Sequence, residues 1–297
     1  MSKNLETSAL KMMVKLHFLT ELWPFVPISL LSFAHKNCKT MKLQITSLFL
    51  FFVLNMNAQH FFIAHRGDSF VAPENTVASA KSAWQAGADA VEIDIHLSKD
   101  NRIMVIHDSD TKRTCSGKKN LEVAKTPSVI LRDLDAGIWK GQEFKGEKIP
   151  FLTEIIETVP EEKTLVVEIK CGSEVIAPLV RVMEKTPKRT QIVFIGFNWD
   201  TMVETKKTFP DNKCYWLSGS KSGLTKKIKE AAENGLDGVN LHYALIDEEI
   251  VKTAKENNLE VLAWTVDSPD EAKRLSALGV TKITTNRPAW LKEEMGK

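Results

Sequence analysis

Cysteine is scarce in this chain of 297 residues, which contains four. Cys38 lies in the atypical first sixty residues, and Cys115, Cys171 and Cys214 are too widely spaced for a zinc-binding pattern or a disulfide framework. Whether one pair forms a disulfide is left open by the sequence. Glycine (14) and proline (11) are too few for a fibrous or linker-rich chain. The remaining composition, 43% hydrophobic and 26% charged, is that of an ordinary soluble globular protein.

An excess of one charge sign is also lacking. The formal net charge is +2 and there is no long basic run, so the composition gives no electrostatic reason to expect a nucleic-acid partner. The length is sufficient for one large domain or two small ones. Since an α/β barrel commonly needs about 250 residues, a single domain of that kind is compatible with the length.

The apolar run from Ile45 to Met56 is shorter than the about 20 residues that span a bilayer comfortably. A lysine precedes it and Asn57-Ala58-Gln59 follows it, which is the layout of a secretory signal peptide over residues 41–58, with cleavage after Ala58. An uncleaved anchor and a buried core strand are the alternative interpretations.

Residues 1–40 show no clear pattern and are interpreted as an upstream extension of the reading frame, with Met41 as the true start. The prediction is therefore an exported protein, periplasmic or secreted, in which residues 59–297 form the folded domain. After signal cleavage we expect no stable insertion into a membrane.

After residue 59, short apolar runs alternate with segments of helical period, which predicts β–α repeats and a parallel sheet. The candidate strands are Phe61–Gly67, Ala90–Ser98, Thr164–Lys170, Gln191–Phe197, Lys213–Gly219, Gly238–Tyr243, Leu259–Asp267 and Val280–Thr284. The candidate helices are Glu74–Ala86, Phe151–Val159, Glu174–Lys185, Asp200–Thr208, Leu224–Asn234, Asp247–Asn257 and Pro269–Leu278. Eight repeats predict a TIM (β/α)8 barrel. A doubly wound open sheet is the alternative, although no glycine-rich dinucleotide loop follows the first strand.

Proline and glycine mark several of the predicted helix limits. Pro73 and Pro269 suit the first turn of a helix. Gly87, Gly235 and Gly279 each lie between a predicted helix and a strand, which predicts a left-handed C-cap at each position.

Glu92 and Asp94 lie two residues apart on one predicted strand, so their side chains point to the same face. Two carboxylates about 4 Å apart repel by about 4 kcal/mol at an effective dielectric constant near 20, and we therefore expect a positive group between them. A polar turn and an extra strand, Arg102–Asp108, bring His107 back opposite this pair. Residues 109–150 then form a polar, irregular insertion on the side where barrel loops build active sites.

The C-terminal ends of the predicted strands carry most of the chemically active side chains: His65, Arg66, Glu92, Asp94, Glu168, Lys170, Trp264 and, beyond the last strand, Asn286, with His107 added by the hairpin. Three carboxylates are hard oxygen ligands that fit Mg²⁺ or Ca²⁺. Arg66 and Lys170 supply two fixed positive charges, which suit an anionic group such as phosphate. Two histidines can divide proton transfer between them.

Seven short motifs carry a resemblance to a known family: HRG (65–67), PENT (73–76), VEIDIHLSKD (91–100), VIHD (105–108), VEIK (167–170), WTVD (264–267) and TTNRP (284–288). In order and spacing they resemble the glycerophosphodiester phosphodiesterase family. Each motif alone is weak, whereas their common register from about Phe61 to the C-terminus is specific.

The resemblance implies a TIM barrel with a small insertion after the second strand, one bound divalent cation and a small phosphodiester substrate. The implied metal ligands are Glu92, Asp94 and Glu168, and the implied catalytic pair is His65 and His107. Arg66 and Lys170 match phosphate-contacting positions, Glu74 and Asn75 match residues close to the metal ligands, and Trp264 matches a wall of the alcohol pocket. The implied reaction releases glycerol 3-phosphate and an alcohol.

Several alternatives stay open at this point. His65 is assigned as the base and His107 as the acid, but the reverse assignment is also compatible with the sequence. The same residues could serve a lysophospholipid or another phosphodiester, which a large apolar pocket near Trp264 or within 109–150 would favour. A barrel that binds phosphate esters without cleaving them is the third alternative. The alcohol, the choice between Mg²⁺ and Ca²⁺, and the oligomeric state are not predicted.

Overall fold

The computed structural model describes residues 60–117 and 120–297, so the predicted extension (1–40) and leader (41–58) lie outside the described residues. The strands are β1 (Phe61–Ala64), β2 (Ala90–Leu97), β3 (Ile103–Val105), β4 (Thr164–Ile169), β5 (Ile192–Gly196), β6 (Cys214–Ser218), β7 (Gly238–His242), β8 (Glu260–Trp264) and β9 (Lys282–Thr285). All but β3 pair in parallel, and β1 pairs with both β2 and β9, which closes the barrel. The predicted TIM barrel is confirmed, and the open sheet is excluded.

Helices follow the strands around the outside of this barrel, as the repeat predicts. The α-helices of the described residues are α1 (Val77–Gln85), α2 (Ser128–Leu131), α3 (Leu152–Thr158), α4 (Ile176–Met183), α5 (Trp199–Thr208), α6 (Leu224–Glu233), α7 (Glu248–Glu256), α8 (Pro269–Ala277) and α9 (Pro288–Met295). The predicted C-caps are confirmed, because Gly87, Gly235 and Gly279 all have positive φ, between 75° and 86°. Helix α9 was not predicted; it packs Leu291 into the core.

The predicted start of the first helix at Glu74 is wrong, since α1 begins at Val77. Thr76 is the N-cap: its hydroxyl accepts the backbone N–H of Ser79, and the Ser79 hydroxyl reaches back to the backbone N–H of Thr76. Asn75 precedes this cap in a left-handed conformation, with φ of 58°. The PENT segment is therefore a loop that presents its side chains to the end of the barrel.

The hairpin formed by β2 and β3 has the predicted arrangement. Ile95 pairs with Val105, and one residue further on the backbone N–H of Ile106 donates to the carbonyl of Asp94 at 3.0 Å. His96 supports the hairpin from the side, because its Nε2 lies 3.0 Å from the carbonyl oxygen of His107. The extra strand therefore carries His107 back beside the carboxylates of β2.

Side chains of each strand point alternately outward and inward, which gives the barrel an outer apolar layer beneath the helices and an inner apolar layer. Ile93 and Ile95 of β2 point outward into the large core shared with the helices. Ile63, Val166 and Leu262 point into the barrel and pack against one another there. Because the interior is filled at its lower levels, polar side chains of the same inward-facing rows gather at the C-terminal end.

The insertion over 109–150 is more ordered than its polar sequence predicts. Val123, Leu131 and Ile149 are buried in a small apolar cluster with Met104 and Ile106, which belong to the hairpin or directly follow it. The insertion is therefore packed onto the segment that leads to His107, which gives it a structural connection to the site.

Cys115, Cys171 and Cys214 are all free thiols. Among the residues that the structure describes, none of the helices combines the length and apolar character needed to cross a bilayer.

Candidate active site

Three buried carboxylates meet at the C-terminal end of the barrel. Glu92 and Asp94 lie on β2, and Glu168 lies beside Asp94 on the neighbouring strand β4. Their side-chain oxygens come within 4.8 Å of one another, and the three residues are only 2%, 1% and 8% exposed. The sequence prediction that these groups converge is confirmed in geometry.

The electrostatics of this cluster are dominated by burial and mutual repulsion. Burial, Asp94 and Glu168 together raise the pKa of Glu92 well above its usual value. Burial and Asp94 likewise raise the pKa of Glu168 to about 7. Among the residues that the structure describes, Glu92 Oε1 and Asp94 Oδ1 are buried without a hydrogen-bond partner. Three carboxylates, two of them with an unpartnered oxygen, are a set of hard oxygen ligands that fits Mg²⁺ or Ca²⁺.

Two cations lie against the carboxylates. Lys170 Nζ is 2.7 Å from Glu168 Oε1 and 3.5 Å from Asp94 Oδ1. Arg66 Nε is 3.6 Å from Asp94 Oδ2. Burial alone would raise the pKa of Asp94, but Lys170 and Arg66 outweigh it and hold that pKa below its usual value. Arg66 and Lys170 therefore provide two positive charges that would attract an anionic ligand to the carboxylate cluster.

The HRG turn gives Arg66 its position. Arg66 has a φ of 58°, which is uncommon for a residue with a side chain, and in this conformation its backbone N–H donates to Glu92 Oε2 at 2.8 Å. Gly67 follows with φ of 78°, and a Cβ there would lie 2.4 Å from Ser79 Oγ, so only glycine fits. The turn therefore links the end of β1 to the carboxylate cluster.

His65 is oriented by residues that follow the last two strands. Asp267 accepts from the Asn286 side-chain amide nitrogen at 2.6 Å, which turns Asn286 Oδ1 toward His65 Nδ1 at 2.7 Å. An amide oxygen only accepts, so His65 Nδ1 carries the proton and Nε2 is left with its lone pair. Burial and then Arg66 lower the pKa of His65, which favours the neutral ring.

His107 is oriented by a different partner, a carboxylate. Its Nδ1 donates to Asp108 Oδ1 at 2.7 Å. Arg113, from the insertion, donates to both Asp108 oxygens at 2.8 and 3.0 Å and to both oxygens of Glu74 at 2.7 and 2.9 Å. Glu74 in turn accepts from Arg66 at 2.9 Å. A continuous chain of ion pairs thus connects the surroundings of the two histidines.

An inner cavity of about 300 Å³ opens above the carboxylates. Its lining residues are His65, Arg66, Glu92, His107, Glu168, Lys170, Ile195, Phe197, Leu217, Asn240, Trp264, Thr265 and Thr284. Trp264 packs edge-on against Phe197, with ring centroids 5.6 Å apart, and its indole N–H donates to the Asn240 carbonyl at 3.2 Å. The aromatic wall is therefore fixed from two sides.

A second, outer cavity of about 560 Å³ shares His65 and Arg66 with the inner one. Its other lining residues are Ser69, Phe70, Glu74, Lys140, Asp267, Asn286 and Arg287. Lys140 comes from the insertion, and its Nζ donates to the Ser69 carbonyl at 2.8 Å. Charged and polar groups thus form most of this cavity, whereas an acyl chain would need an apolar one.

The structure brings the predicted site residues together, with two distinctions. Asn75 contacts Asp94 directly, through its Nδ2 at 2.7 Å from Oδ2 and its Oδ1 at 3.0 Å from the backbone N–H. Glu74 lies outside the carboxylate cluster and pairs instead with Arg66 and Arg113.

The sequence interpretation missed four residues of the site, Asp108, Arg113, Asn240 and Asp267. Two of them stand inside motifs already singled out: Asp108 ends VIHD and Asp267 ends WTVD. Asn240 gave a weaker signal, as a polar residue within an apolar strand. Arg113 gave none, because its role depends on how the insertion folds.

This chain is similar to known phosphodiesterases both in sequence and in structure. Residues 65–290 match the model of the glycerophosphoryl diester phosphodiesterase family. A glycerophosphodiester phosphodiesterase of Caldanaerobacter subterraneus subsp. tengcongensis is 34% identical over 237 residues, covering 77% of this chain and 95% of that protein. A solved phosphodiesterase of Oleispira antarctica, in complex with the product sn-glycerol-3-phosphate, superposes with a TM-score of 0.74 at 32% identity, covering 80% of this chain and 96% of that one. A mouse lysophospholipase D is 30% identical over 139 residues, covering 45% of this chain and 44% of that protein.

Proposed function

The chain belongs to the glycerophosphoryl diester phosphodiesterase family, and on this premise we propose that it hydrolyses glycerophosphodiesters to glycerol 3-phosphate and an alcohol by metal-assisted catalysis with two histidines. The single observation that carries the mechanistic part is one cavity of about 300 Å³ lined by two cations, two separately oriented histidines, and Glu92 and Glu168 of the buried carboxylate cluster. The phosphodiester hydrolase activity itself follows from the family.

Glu92, Asp94 and Glu168 would hold one divalent cation, Mg²⁺ or Ca²⁺. The unpartnered oxygens of Glu92 and Asp94 and the raised pKa of Glu92 support this, since both are expected of a carboxylate cluster that binds a cation. When bound, such a cation offsets the negative charge of the diester and stabilises the charge that develops on phosphorus oxygens. Asn75 holds Asp94 in position, because it donates to Asp94 Oδ2 and accepts from the Asp94 backbone N–H.

Arg66 and Lys170 would bind the phosphate oxygens of the diester. Both line the inner cavity, and both already lie against carboxylates, so an anion that enters finds two fixed positive charges without rearrangement of the backbone. Because a phosphodiester is itself an anion, these charges lower its repulsion of an attacking oxygen.

His65 would act as the base and His107 as the acid. The lowered pKa of His65 favours the neutral ring, whose Nε2 can take the proton from an attacking water. If a glycerol hydroxyl attacks instead, the alcohol leaves and a cyclic phosphate forms, which water then opens to glycerol 3-phosphate. His107 donates through Nδ1 to a carboxylate, and its Nε2–H would protonate the departing alcohol. Each histidine should contribute about 10²–10⁴-fold to the rate.

The charged lining of the outer cavity supports a polar alcohol over a lysophospholipid. Lys140, Arg287 and Glu74 surround it, and Phe70 is its one large apolar side chain. The likeness to a mouse lysophospholipase D keeps the lipid substrate as the second candidate, although that match covers less than half of either protein.

The test is release of glycerol 3-phosphate from glycerophosphocholine by the purified protein with Mg²⁺, Ca²⁺ or EDTA. We expect metal-dependent turnover that is lost in His107→Ala and Glu92→Ala. His60→Ala is the matched control, because His60 bonds Ser276 outside both cavities and its loss should leave turnover unchanged. Turnover of lysophospholipid alone would favour the second candidate. Binding of phosphate esters without turnover of either substrate would instead leave a barrel that binds and does not cleave.

We also propose that the protein is exported, on the basis of the lysine, apolar run and Ala58 within residues 41–58. Intact-mass analysis of the protein made from the full chain tests this. A mature species that starts at Gln59 supports export, and a chain that retains residues 41–58 contradicts it.

A further inference from the structure

Asn240 is a polar residue in an apolar level of the barrel interior. In the register of the sheet it pairs with Leu217 on one side and Leu262 on the other, and both leucines pack inside the barrel. Asn240 is 1% exposed and lines the inner cavity. Its neighbours Val239 and Leu241 point outward into the helix-facing core. A buried amide at this level is unusual, because both of its register neighbours in the sheet are leucines.

The side-chain oxygen of Asn240 has no hydrogen-bond partner among the residues that the structure describes. Buried polar groups are nearly always satisfied, and an unpartnered one lining a ligand cavity indicates a contact made by the ligand. The backbone of Asn240 already has a role, because its carbonyl holds the Trp264 indole. The side chain is left free for a different contact.

We propose that the Asn240 side chain binds a free hydroxyl of the glycerol moiety and thereby selects glycerol esters among phosphodiesters; this rests on the proposed function. An amide oxygen needs a donor, and the oxygens of an ionised phosphodiester carry no hydrogen. Choline in glycerophosphocholine has no free hydroxyl either, because its oxygen is esterified. The glycerol hydroxyls are therefore the donors that this substrate offers.

The size and lining of the inner cavity agree with this assignment. About 300 Å³ accommodates a three-carbon unit with its phosphate, and Ile195 and Leu217 supply apolar contacts for the carbon chain. A site built to hydrogen-bond a hydroxyl discriminates strongly against an analogue that lacks it, because the buried partner is then left unpaired. Asn240 is thus the residue expected to separate glycerol phosphate from a plain alkyl phosphate.

The experiment compares glycerol 3-phosphate with propyl phosphate as inhibitors of glycerophosphocholine turnover, in the full chain with Mg²⁺. The two inhibitors share the phosphate and three carbons and differ in the hydroxyls. We expect the wild type to prefer glycerol 3-phosphate at least tenfold, and Asn240→Leu, which has a similar volume, to bring the two within twofold. Leu217→Met is the matched control on the neighbouring strand and should affect both inhibitors alike.

Thermal melting separates this role from a structural one. Because the amide oxygen lacks a partner in the protein, Asn240→Leu should melt at the same temperature as the wild type or higher. A variant that keeps the tenfold preference would overturn the inference, as would a lower melting temperature with equal weakening of both inhibitors. If the wild type shows no turnover, the proposed function fails, and calorimetric binding of the same two phosphates still tests Asn240.

Discussion

Glu92→Gln is expected to stabilise the metal-free fold while it removes turnover. Gln keeps an oxygen that can accept the backbone N–H of Arg66, and it removes one of three buried charges whose oxygens lie within 4.8 Å of one another. At that distance a pair of carboxylates repels by about 3.5 kcal/mol at an effective dielectric constant near 20. Arg66 and Lys170 offset part of this repulsion, so we expect a net gain of about 2 kcal/mol in the free energy of unfolding. For a domain of this size that corresponds to a rise of about 4–8 °C in melting temperature.

The assay is thermal or urea unfolding in EDTA at pH 8, repeated with excess Mg²⁺. The wild type should gain stability from Mg²⁺ because the ion binds the folded state, whereas Glu92→Gln should gain little. Glu293→Gln is the control for removal of one negative charge, since Glu293 is exposed on α9. The reasoning is refuted if Glu92→Gln unfolds below the wild type in EDTA, or if Mg²⁺ stabilises both proteins equally.

The same cluster determines how stability depends on pH without metal. The pKa of Glu168 is raised from 4.5 to about 7 in the folded protein, so the folded state binds more protons between these two pH values. The raised pKa of Glu92 acts in the same direction. Stability in EDTA should therefore fall as pH rises through this window. For Glu168, whose pKa rises from 4.5 to about 7, the loss amounts to about 3 kcal/mol. If the free energy of unfolding of the wild type in EDTA rises from pH 5 to pH 8, repulsion among the three carboxylates does not dominate the pH dependence.

Three further substitutions test separate parts of the structure. Asn286→Ala removes the acceptor for His65 Nδ1–H and should lower kcat about 10–100-fold, with a loss of the Nδ1-protonated tautomer in the ¹⁵N spectrum of that ring. Arg113→Met should lower kcat about tenfold because it frees Asp108 beside the second histidine; a change in KM alone would contradict this role. Lys188→Met should lower the free energy of unfolding by about 1–2 kcal/mol without changing turnover, because Lys188 Nζ donates to three carbonyls at the C-terminal end of α3. An unchanged midpoint of urea unfolding would contradict this, since water would then satisfy the three carbonyls equally well.

The barrel could be predicted from the sequence because its signals are local. Apolar runs mark the strands, and glycine at positions that require positive φ, such as Gly87, marks the ends of helices. The start of α1 could not be predicted in the same way. Asn75 takes its left-handed conformation while bonding Asp94, a residue of another strand, and proline before Glu74 misleadingly suggests a first helical turn. Tertiary contacts outweighed the local preference there.

The residues of the candidate site that lie at strand ends could be predicted from the sequence. Parallel strands deliver Glu92 and Glu168 to the same end of the barrel, and a period of two decides which side chains point inward. The orienting partners follow no such rule. Asn286 meets His65 across 221 positions, and Arg113 reaches Asp108 only after the insertion has folded onto the hairpin. Such contacts depend on three-dimensional closure, which periodicity does not encode.

The pairing of the first strand with the last has a consequence for biosynthesis. His65 follows β1, its partner Asn286 follows β9, and these two strands form the seam that closes the barrel. A nascent chain therefore contains His65 and all three carboxylates of the proposed metal site long before Asn286, which orients His65, has been synthesised. Full turnover should accordingly arise only in chains that have been completed and have closed, so that enzymatic activity doubles as a reporter of finished folding.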